Sequence, residues 1–301
     1  MTTSVDTAAR EQEQPMALVS GMPGKCGFLQ LGFELDSSGR SILREWQRRA
    51  PLIVQQALYF DERMPEMPCV YILSSGGPNV DGDRYEQNIT VHRDAFAHIS
   101  TGASTKLAEM RYDHSELRQR FTLEEGAYME FLPEPVIPCR HTKFYSETDI
   151  TVAPSATLFY SEIYTSGRKH SGERFEYDIL SVCTRVRSDD CRPLMREKFV
   201  IEPHVRKIGM VGAMNGYDVM ANITVLTPKK HADRLYDSFE VGADAAEGIT
   251  SGITRLPSDA GLLVKVLGRE TAPVKRAVRA FCSAVRKELK GRELPEEFPW
   301  R

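Results

Sequence analysis

The amino-acid sequence predicts a mainly β protein, a β-helix-like stack of strand-turn-strand layers with two helices in the C-terminal part. Three observations predict this class. Apolar and polar residues alternate in short segments along most of the chain, as they do in half-buried strands. A unit of two strands joined by a tight turn recurs, and helical spacing of apolar residues first appears after residue 226.

The recurring unit is a strand, a tight turn, an alanine and a second strand, with a period of about thirty residues. Its three copies begin at Ile89, Phe121 and Ile150, and the alanines before their second strands are Ala95, Ala127 and Ala156. Units of this kind bury their apolar faces by stacking as successive layers. A β-sandwich whose hairpins merely look alike is the alternative architecture.

Three regions follow one another along the chain. Residues 1–25 are polar and aperiodic, which predicts a disordered N-terminal tail. Residues 26–226 predict the β-helical body, and residues 227–301 predict an α/β part packed on that body within one continuous domain. Within these regions, strands are expected at residues 28–33, 69–73, 175–187, 194–201, 221–226 and 261–267.

Two helices are predicted in the C-terminal part. The first opens at Thr227-Pro228, and the second and longest runs from Thr271 until Gly291 stops it. The longest helix has an apolar face, and its opposite face carries the cations Lys275, Arg276, Arg279, Arg286 and Lys287. A solvated face is the expectation for these cations, and a docking surface for an acidic partner is the alternative.

A glycine-rich loop precedes the first repeat. Gly76, Gly77 and Gly82 permit backbone conformations that side chains forbid, so we expect a shaped loop. The loop lacks the order of a phosphate-binding motif, since Thr105-Lys106 reverses that motif's ending. It also lacks the glutamate that closes a calcium loop, which argues against calcium binding.

Charge and composition exclude several classes of function. The chain has 301 residues, of which 41% are hydrophobic and 27% charged, and its net charge of -3 offers no basic field for nucleic acid. No apolar segment is long enough to span a membrane, and the first residues lack the pattern of a signal peptide. The sequence therefore predicts a cytoplasmic protein without nucleic-acid or membrane partners.

No catalytic motif stands at diagnostic spacing, so the sequence predicts a protein that is not an enzyme. Carboxylates do cluster, at Asp81 and Asp83 and at Glu162, Glu173 and Glu176. Because β-solenoids often act on polysaccharides, a carbohydrate-active β-solenoid enzyme is the alternative from another class. Cys139 and His141 could together hold a soft metal ion, but two ligands without a third or fourth nearby favour a plain turn.

The order of several motifs resembles one known family. Paired glycines at 76–77 are followed by Gly-Asp-Arg at 82–84, an alternating strand pair and a small-residue run ending in Lys106. Further motifs stand at residues 130–135, 160–162, 166–168 and 172–175. This order over residues 27–301 resembles the urease accessory protein family called UreD, or UreH in some bacteria. Pro78-Asn79 departs from the hydrophobic residues that often follow the family's paired glycines.

The resemblance implies a β-helical fold and a maturation factor for urease. Such a protein would bind the urease structural subunits as apoprotein and the accessory protein UreF, which in turn recruits the GTPase UreG. Together these proteins would insert nickel into the urease active site. The implied role is that of a scaffold and a conduit, with nickel in transit and no cofactor bound permanently. Oxygen ligands suit such a path because they hold nickel weakly enough to release it.

The residues that the resemblance carries over as candidates for the transit path are Asp83, Thr105, Glu162, Arg168 and Glu197. Each carboxylate also has a structural interpretation. Asp83 could cap its turn, Glu162 could form a buried ion pair with Arg168, and Glu197 could lie in an alternating surface charge pattern between Arg196 and Lys198.

Overall fold

The computed structural model describes residues 24–296 and 298, so the predicted N-terminal tail lies outside the described residues except for its last two positions. The strands, numbered in chain order, are β1 (Cys26–Leu35), β2 (Ser41–Arg49), β3 (Leu52–Ile53), β4 (Cys69–Ser74), β5 (Arg84–Val91), β6 (Phe96–Thr101), β7 (Thr105–Leu107), β8 (Ser115–Leu123), β9 (Tyr128–Leu132), β10 (Val136–Pro138), β11 (Lys143–Val152), β12 (Thr157–Thr165), β13 (Ile179–Ser188), β14 (Pro193–Ile201), β15 (Val219–Leu226), β16 (Ala243–Asp244), β17 (Ile249–Arg255) and β18 (Gly261–Gly268). The helices are α1 (Lys229–Ser238) and α2 (Thr271–Lys290).

Two large sheets face each other. The first has the order β14-β13-β11-β8-β5-β1-β2, and the second follows the path β16-β17-β18-β15-β12-β9-β6-β4-β3. The first sheet is parallel except for its outer pairs β1-β2 and β13-β14. In the second sheet the strands β12, β9, β6 and β4 are parallel, and the antiparallel part begins at the pair β12-β15 on one side and at β3-β4 on the other. The short strands β7 and β10 pair in parallel with each other, and β10 also pairs with β12, so they add a third face to the stack.

The predicted repeat is the stacked layer. Ile89 and Ile150 both lie opposite Phe121, in register across three parallel strands of the first sheet. The alanines stack as well, because Tyr128 donates its backbone N–H to the Ala95 carbonyl at 2.9 Å and Thr157 donates to Ala127 at 2.8 Å. The β-helix-like stack with two C-terminal helices is therefore confirmed.

The main core lies between the two sheets, and a second core lies between the second sheet and the helices. Val274, Val278 and Val285 of α2 are fully buried in that second core, as the helical spacing predicts. Gly291 ends α2 in the left-handed conformation, with φ of +66°. Neither helix of the described chain combines the length and the apolar character that crossing a membrane requires.

Two predictions about elements are wrong. The strand expected from residue 175 begins only at Ile179, because Phe175 has a left-handed φ of +56° that a strand does not accept. Arg286 is not on a solvated face of α2, since its side chain is fully buried and bound by carboxylates of the body. Its neighbour Lys287 does face solvent.

The glycine loop has the shape that its sequence predicts. Gly77 and Gly82 have φ angles of +71° and +77°, where side chains are strained. A Cβ at Gly82 would also lie only 3.1 Å from the Gly24 Cα. Asp81 accepts hydrogen bonds from the backbone N–H groups of Arg111 and Asp113, both at 3.0 Å, and so ties this loop to the next layer.

Candidate functional site

Asp83 is buried and fully engaged. Its carboxylate lies 3.1 Å from the Lys25 ammonium and accepts hydrogen bonds from the Val80 N–H at 3.0 Å and the Tyr85 hydroxyl at 3.1 Å. The Lys25 backbone N–H donates a further bond at 2.9 Å. Asp83 thus closes the glycine loop onto Lys25, the residue before β1, and has the turn-capping geometry considered from the sequence.

Thr105 and Arg168 lie apart from Asp83, on the third face of the stack. Thr105 donates its backbone N–H to the Pro135 carbonyl at 3.0 Å. Arg168 pairs with Glu173, with its Nε 2.9 Å from Oε2, and lines an open cavity of about 810 Å³. The alternative interpretation of Glu162 and Arg168 as a buried ion pair is therefore wrong, because Arg168 points outward to Glu173 and Glu162 points between the sheets.

The side chains of Cys139 and His141 have different surroundings. Cys139 lies in the wall of the same cavity as Arg168, where burial raises the pKa of its thiol. The His141 imidazole turns away to Asp178, with Nδ1 3.1 Å from Oδ1. These are the two positions at which the sequence placed an alternative metal site.

Glu162 and Glu197 are brought together by the two sheets. Glu162 lies directly opposite Asn222 on the antiparallel pair β12-β15. The Asn222 amide donates to Glu197 Oε2 at 2.6 Å, and Glu197 also pairs with Lys265. Glu162 is buried, whereas the Glu197 and Lys265 side chains are 16% and 47% exposed. These four residues, called here the carboxylate path, therefore lead from solvent to the interior.

A row of polar side chains continues this path across the first sheet. Its members are adjacent in register on five neighbouring strands: Gln87, Gln119, Thr148, Thr184 and Glu197. Gln119 donates to Gln87 at 2.9 Å and accepts from the Thr148 hydroxyl at 3.0 Å. Thr148 also contacts the Tyr160 hydroxyl of the second sheet at 3.1 Å. The space between the sheets therefore holds a polar layer within an apolar core.

The electrostatics of Glu162 are unusual. Burial raises the pKa of its carboxyl group to about 7, and the nearby Glu197 charge acts in the same direction. Hydrogen bonds from Tyr164, at 2.8 Å, and from Tyr160 oppose this rise only in part. At neutral pH the group is consequently divided between its neutral and its ionised forms.

Two buried oxygens on the path have no donor within the described part of the chain, namely Glu162 Oε2 and Asn222 Oδ1. Their residues lie opposite each other in the sheet. Each atom is an acceptor, and a buried acceptor without a donor costs about 1 to 3 kcal/mol. Such a pair of oxygens attracts either a water molecule or a hard or borderline cation.

A second buried cluster, which the sequence reasoning missed, joins α2 to the stack. The Arg286 guanidinium binds Glu130 through two hydrogen bonds, of 2.7 and 2.6 Å, and Asp61 through a third, of 2.5 Å. Glu130 also accepts from Tyr128 at 2.6 Å and lies 2.8 Å from His98 Nδ1. We call these five residues the arginine cluster.

A signal for this cluster existed in the repeat. His98 and Glu130 stand at the same offset from Ala95 and Ala127, three residues after each alanine. They pair directly in the register of β6 and β9. Polar residues at matching offsets inside apolar strands predict contact between layers, although they do not predict that Arg286 completes the cluster.

The fold and this interior define a class: a stacked β protein that holds a layer of polar side chains, with a buried carboxylate, between its two sheets. The sequence profile of the UreD urease accessory protein family matches residues 25–301. The chain therefore belongs to the UreD urease accessory protein family, and its role lies in the maturation of urease.

Individual relatives agree with this assignment. The chain is 45% identical over 294 residues to urease accessory protein UreD 2 of Brucella suis, covering 97% of both chains. It is 44% identical over 294 residues to UreD 2 of Brucella ovis, with the same coverage. It is 42% identical over 295 residues to urease accessory protein UreD of Yersinia pseudotuberculosis, covering 97% of this chain and 92% of the relative.

Proposed function

We propose that this chain assists the incorporation of nickel into urease as a non-catalytic scaffold and nickel conduit. In this proposal it binds the urease apoprotein and UreF, and through UreF the GTPase UreG. Family membership supports the maturation role. The finer statement, that the ion passes through the protein, is supported by the carboxylate path.

One observation carries the conduit: two buried oxygens that face each other across the sheet, Glu162 Oε2 and Asn222 Oδ1, have no donor among the described residues. Oxygen donors hold nickel less tightly than a closed set of histidines and cysteines, so an ion bound there is able to move on. The exposed Lys265 and the partly exposed Glu197 form the entrance of the path, and Glu162 forms its buried end. Asp83, Thr105 and Arg168 stay predictions as transit residues.

The raised pKa of Glu162 suits a transient site. A divalent cation stabilises the ionised carboxylate and displaces the proton, so binding is coupled to proton release. When the ion leaves, burial favours reprotonation and removes the negative charge that would retain the next ligand. The site therefore attracts a cation without holding it permanently.

The carbohydrate-active alternative gains no support from this geometry. Glu162 has the raised pKa that a general acid needs, but it lies between the sheets, where a polysaccharide has no access. The buried Glu173 and the partly exposed Glu176 are each paired with an arginine. We therefore expect the purified chain alone to hydrolyse neither glycans, urea nor nucleotides.

The test uses urease apoprotein activated with nickel, UreF, UreG and either the native chain or a variant. The double variant Glu162→Gln with Glu197→Gln keeps side-chain volume but removes two negative charges from the path. We expect the nickel content of urease to fall several-fold, while complex formation is preserved and the melting temperature does not fall. Asp83→Asn is measured separately, and Glu176→Gln is the control at an exposed, ion-paired carboxylate.

Normal nickel loading by the double variant would overturn the conduit. Nickel loss that merely follows unfolding would overturn it as well, because the carboxylates would then be structural. Failure of the native chain to associate with UreF or with urease would overturn the scaffold role instead.

A further inference from the structure

His141, Asp178 and His204 meet on the surface at the edge of the first sheet. Their ligand atoms all lie within 4.8 Å of one another. Asp178 Oδ1 is 3.1 Å from His141 Nδ1 and 3.7 Å from His204 Nε2. The two imidazole rings are stacked, with centroids 6.3 Å apart and planes inclined by 26°.

The sheet topology builds this group from three separate segments. His141 lies in the turn before β11, and Asp178 lies immediately before β13, which pairs in parallel with β11. His204 follows β14, which runs antiparallel to β13 and so returns the chain to the same edge. His141 is held by its backbone, because its N–H donates to the Glu176 carbonyl at 3.0 Å and its carbonyl accepts from Met110 at 3.2 Å.

The chemistry of the group favours a first-row divalent cation. Two neutral imidazoles and one carboxylate suit borderline ions such as nickel, zinc and copper, whereas calcium and magnesium prefer oxygen alone. Ligands on one such ion stand about 3 to 4 Å apart, given bonds of about 2.0 to 2.2 Å. All three side chains are at least one-third exposed and can adjust to that spacing.

The surrounding charges do not oppose a cation. Arg140, the sequence neighbour of His141, is bound to Glu176 at 2.6 Å, so its charge is already compensated. His204 Nε2 also lies 3.3 Å from the Glu176 carbonyl, a contact that metal binding would replace. With three ligands from the chain, the remaining coordination positions are open to water or to a donor from another protein.

We propose that His141, Asp178 and His204 form a surface site for a borderline divalent cation, with open coordination positions. This proposal stands on ligand geometry and does not rest on the interior conduit. In the sequence analysis, Cys139 was the second ligand considered beside His141. In the proposed site, the other ligands of His141 are Asp178 and His204, which belong to later layers. Because the site is exposed and incomplete, it exchanges its ion readily with solvent or with a partner.

The test is calorimetric titration of the untagged full chain with nickel(II) or zinc(II) alone, and with magnesium as the hard-cation comparison. The variants are His204→Ala and His141→Asn, which keeps a residue that tolerates the left-handed φ of +56° at that position. His92→Ala is the matched control. His92 also lies 3.1 Å from a carboxylate, but among the described residues it belongs to no group of three metal-binding side chains. Glu162→Gln is a further variant, which identifies any cation binding at the buried carboxylate between the sheets.

We expect the surface site of the native chain to bind one nickel or zinc equivalent. The affinity of that equivalent should be at least tenfold weaker in either site variant and unchanged in His92→Ala and Glu162→Gln. Magnesium should not compete. Electron paramagnetic resonance of bound copper(II) should report two nitrogen ligands in the native chain and one in His204→Ala. Unchanged affinity in both site variants, or affinity lost equally in His92→Ala, would overturn the proposal.

Discussion

Glu130 and Glu162 lie on adjacent parallel strands of one sheet, both fully buried, yet their surroundings are opposite. Glu130 faces α2, where Arg286, His98 and Tyr128 occupy both of its oxygens. Glu162 faces the space between the sheets, where Tyr164 donates to one oxygen and no described donor reaches the other. Burial alone therefore does not define the role of a carboxylate in this protein.

The two groups also ionise differently. Burial by itself raises the pKa of Glu130, but the Arg286 charge and hydrogen bonds overcome this effect and hold the pKa well below its usual range. Burial raises the pKa of Glu162 to about 7 without a compensating cation. Glu130 is thus a permanently charged structural group, whereas the charge of Glu162 depends on whether a cation binds beside it.

The largest expected effect comes from breaking the arginine cluster. Arg286→Met would leave Glu130 and Asp61 as buried, uncompensated charges, which costs about 3 to 5 kcal/mol of unfolding free energy. Chemical denaturation at pH 7 measures this loss. Lys287→Met, the exposed neighbour on α2, is the control and should change stability little. Equal stability of both variants would contradict a structural role for the cluster.

Removing the charge of Glu162 should raise the free energy of unfolding, which is the opposite of the effect expected for Arg286→Met. The folded-state pKa of about 7 lies above the ordinary value of 4.5, so the native chain loses stability as pH rises between these values. Glu162→Gln removes that loss and should stabilise the protein above pH 7 by up to roughly 3 kcal/mol. Denaturation at pH 4 and pH 8 measures it, with little difference expected at pH 4. Destabilisation at pH 8 would show that the carboxylate is paired after all.

A smaller loss is expected at the loop that holds Asp83, another buried carboxylate. Gly82→Val places a branched side chain at a φ of +77° and against Gly24, at a cost of about 1 to 3 kcal/mol. Gly252→Val is the control, since a Cβ there meets no atom within 4 Å. Thermal unfolding compares the two. If Gly82→Val leaves the melting temperature unchanged, the contacts of Asp83 do not depend on the loop shape. Asp83 is then not a structural carboxylate like Glu130.

Local repetition explains how much of the fold could be predicted. Ala95, Ala127 and Ala156 carry the same signal in three layers, so the stack follows from the sequence. The strands β7 and β10 have three residues each and are too short to show alternation. β17 interrupts its pattern at Gly252 and is exposed over much of its length, so no apolar face marks it as a strand.

The site was less predictable because its contacts join distant strands. Glu162 and Glu197 were selected by family resemblance, but Asn222, which connects them, carries no local signal inside β15. Arg286 was misplaced for a related reason. Helical spacing shows that Arg286 lies away from the valines of α2. It does not show that Asp61 and Glu130 lie on that side of the helix. Register and docking between elements are properties of the folded chain.

The most direct measurement is a carboxyl-carbon NMR titration of the native chain labelled at its glutamates, assigned with Glu162→Gln and Glu130→Gln. The account predicts that Glu162 titrates near pH 7, that Glu130 stays ionised well below the usual range, and that nickel(II) shifts the Glu162 titration to lower pH. A Glu162 titration near the ordinary value of 4.5, unmoved by nickel, would contradict the account.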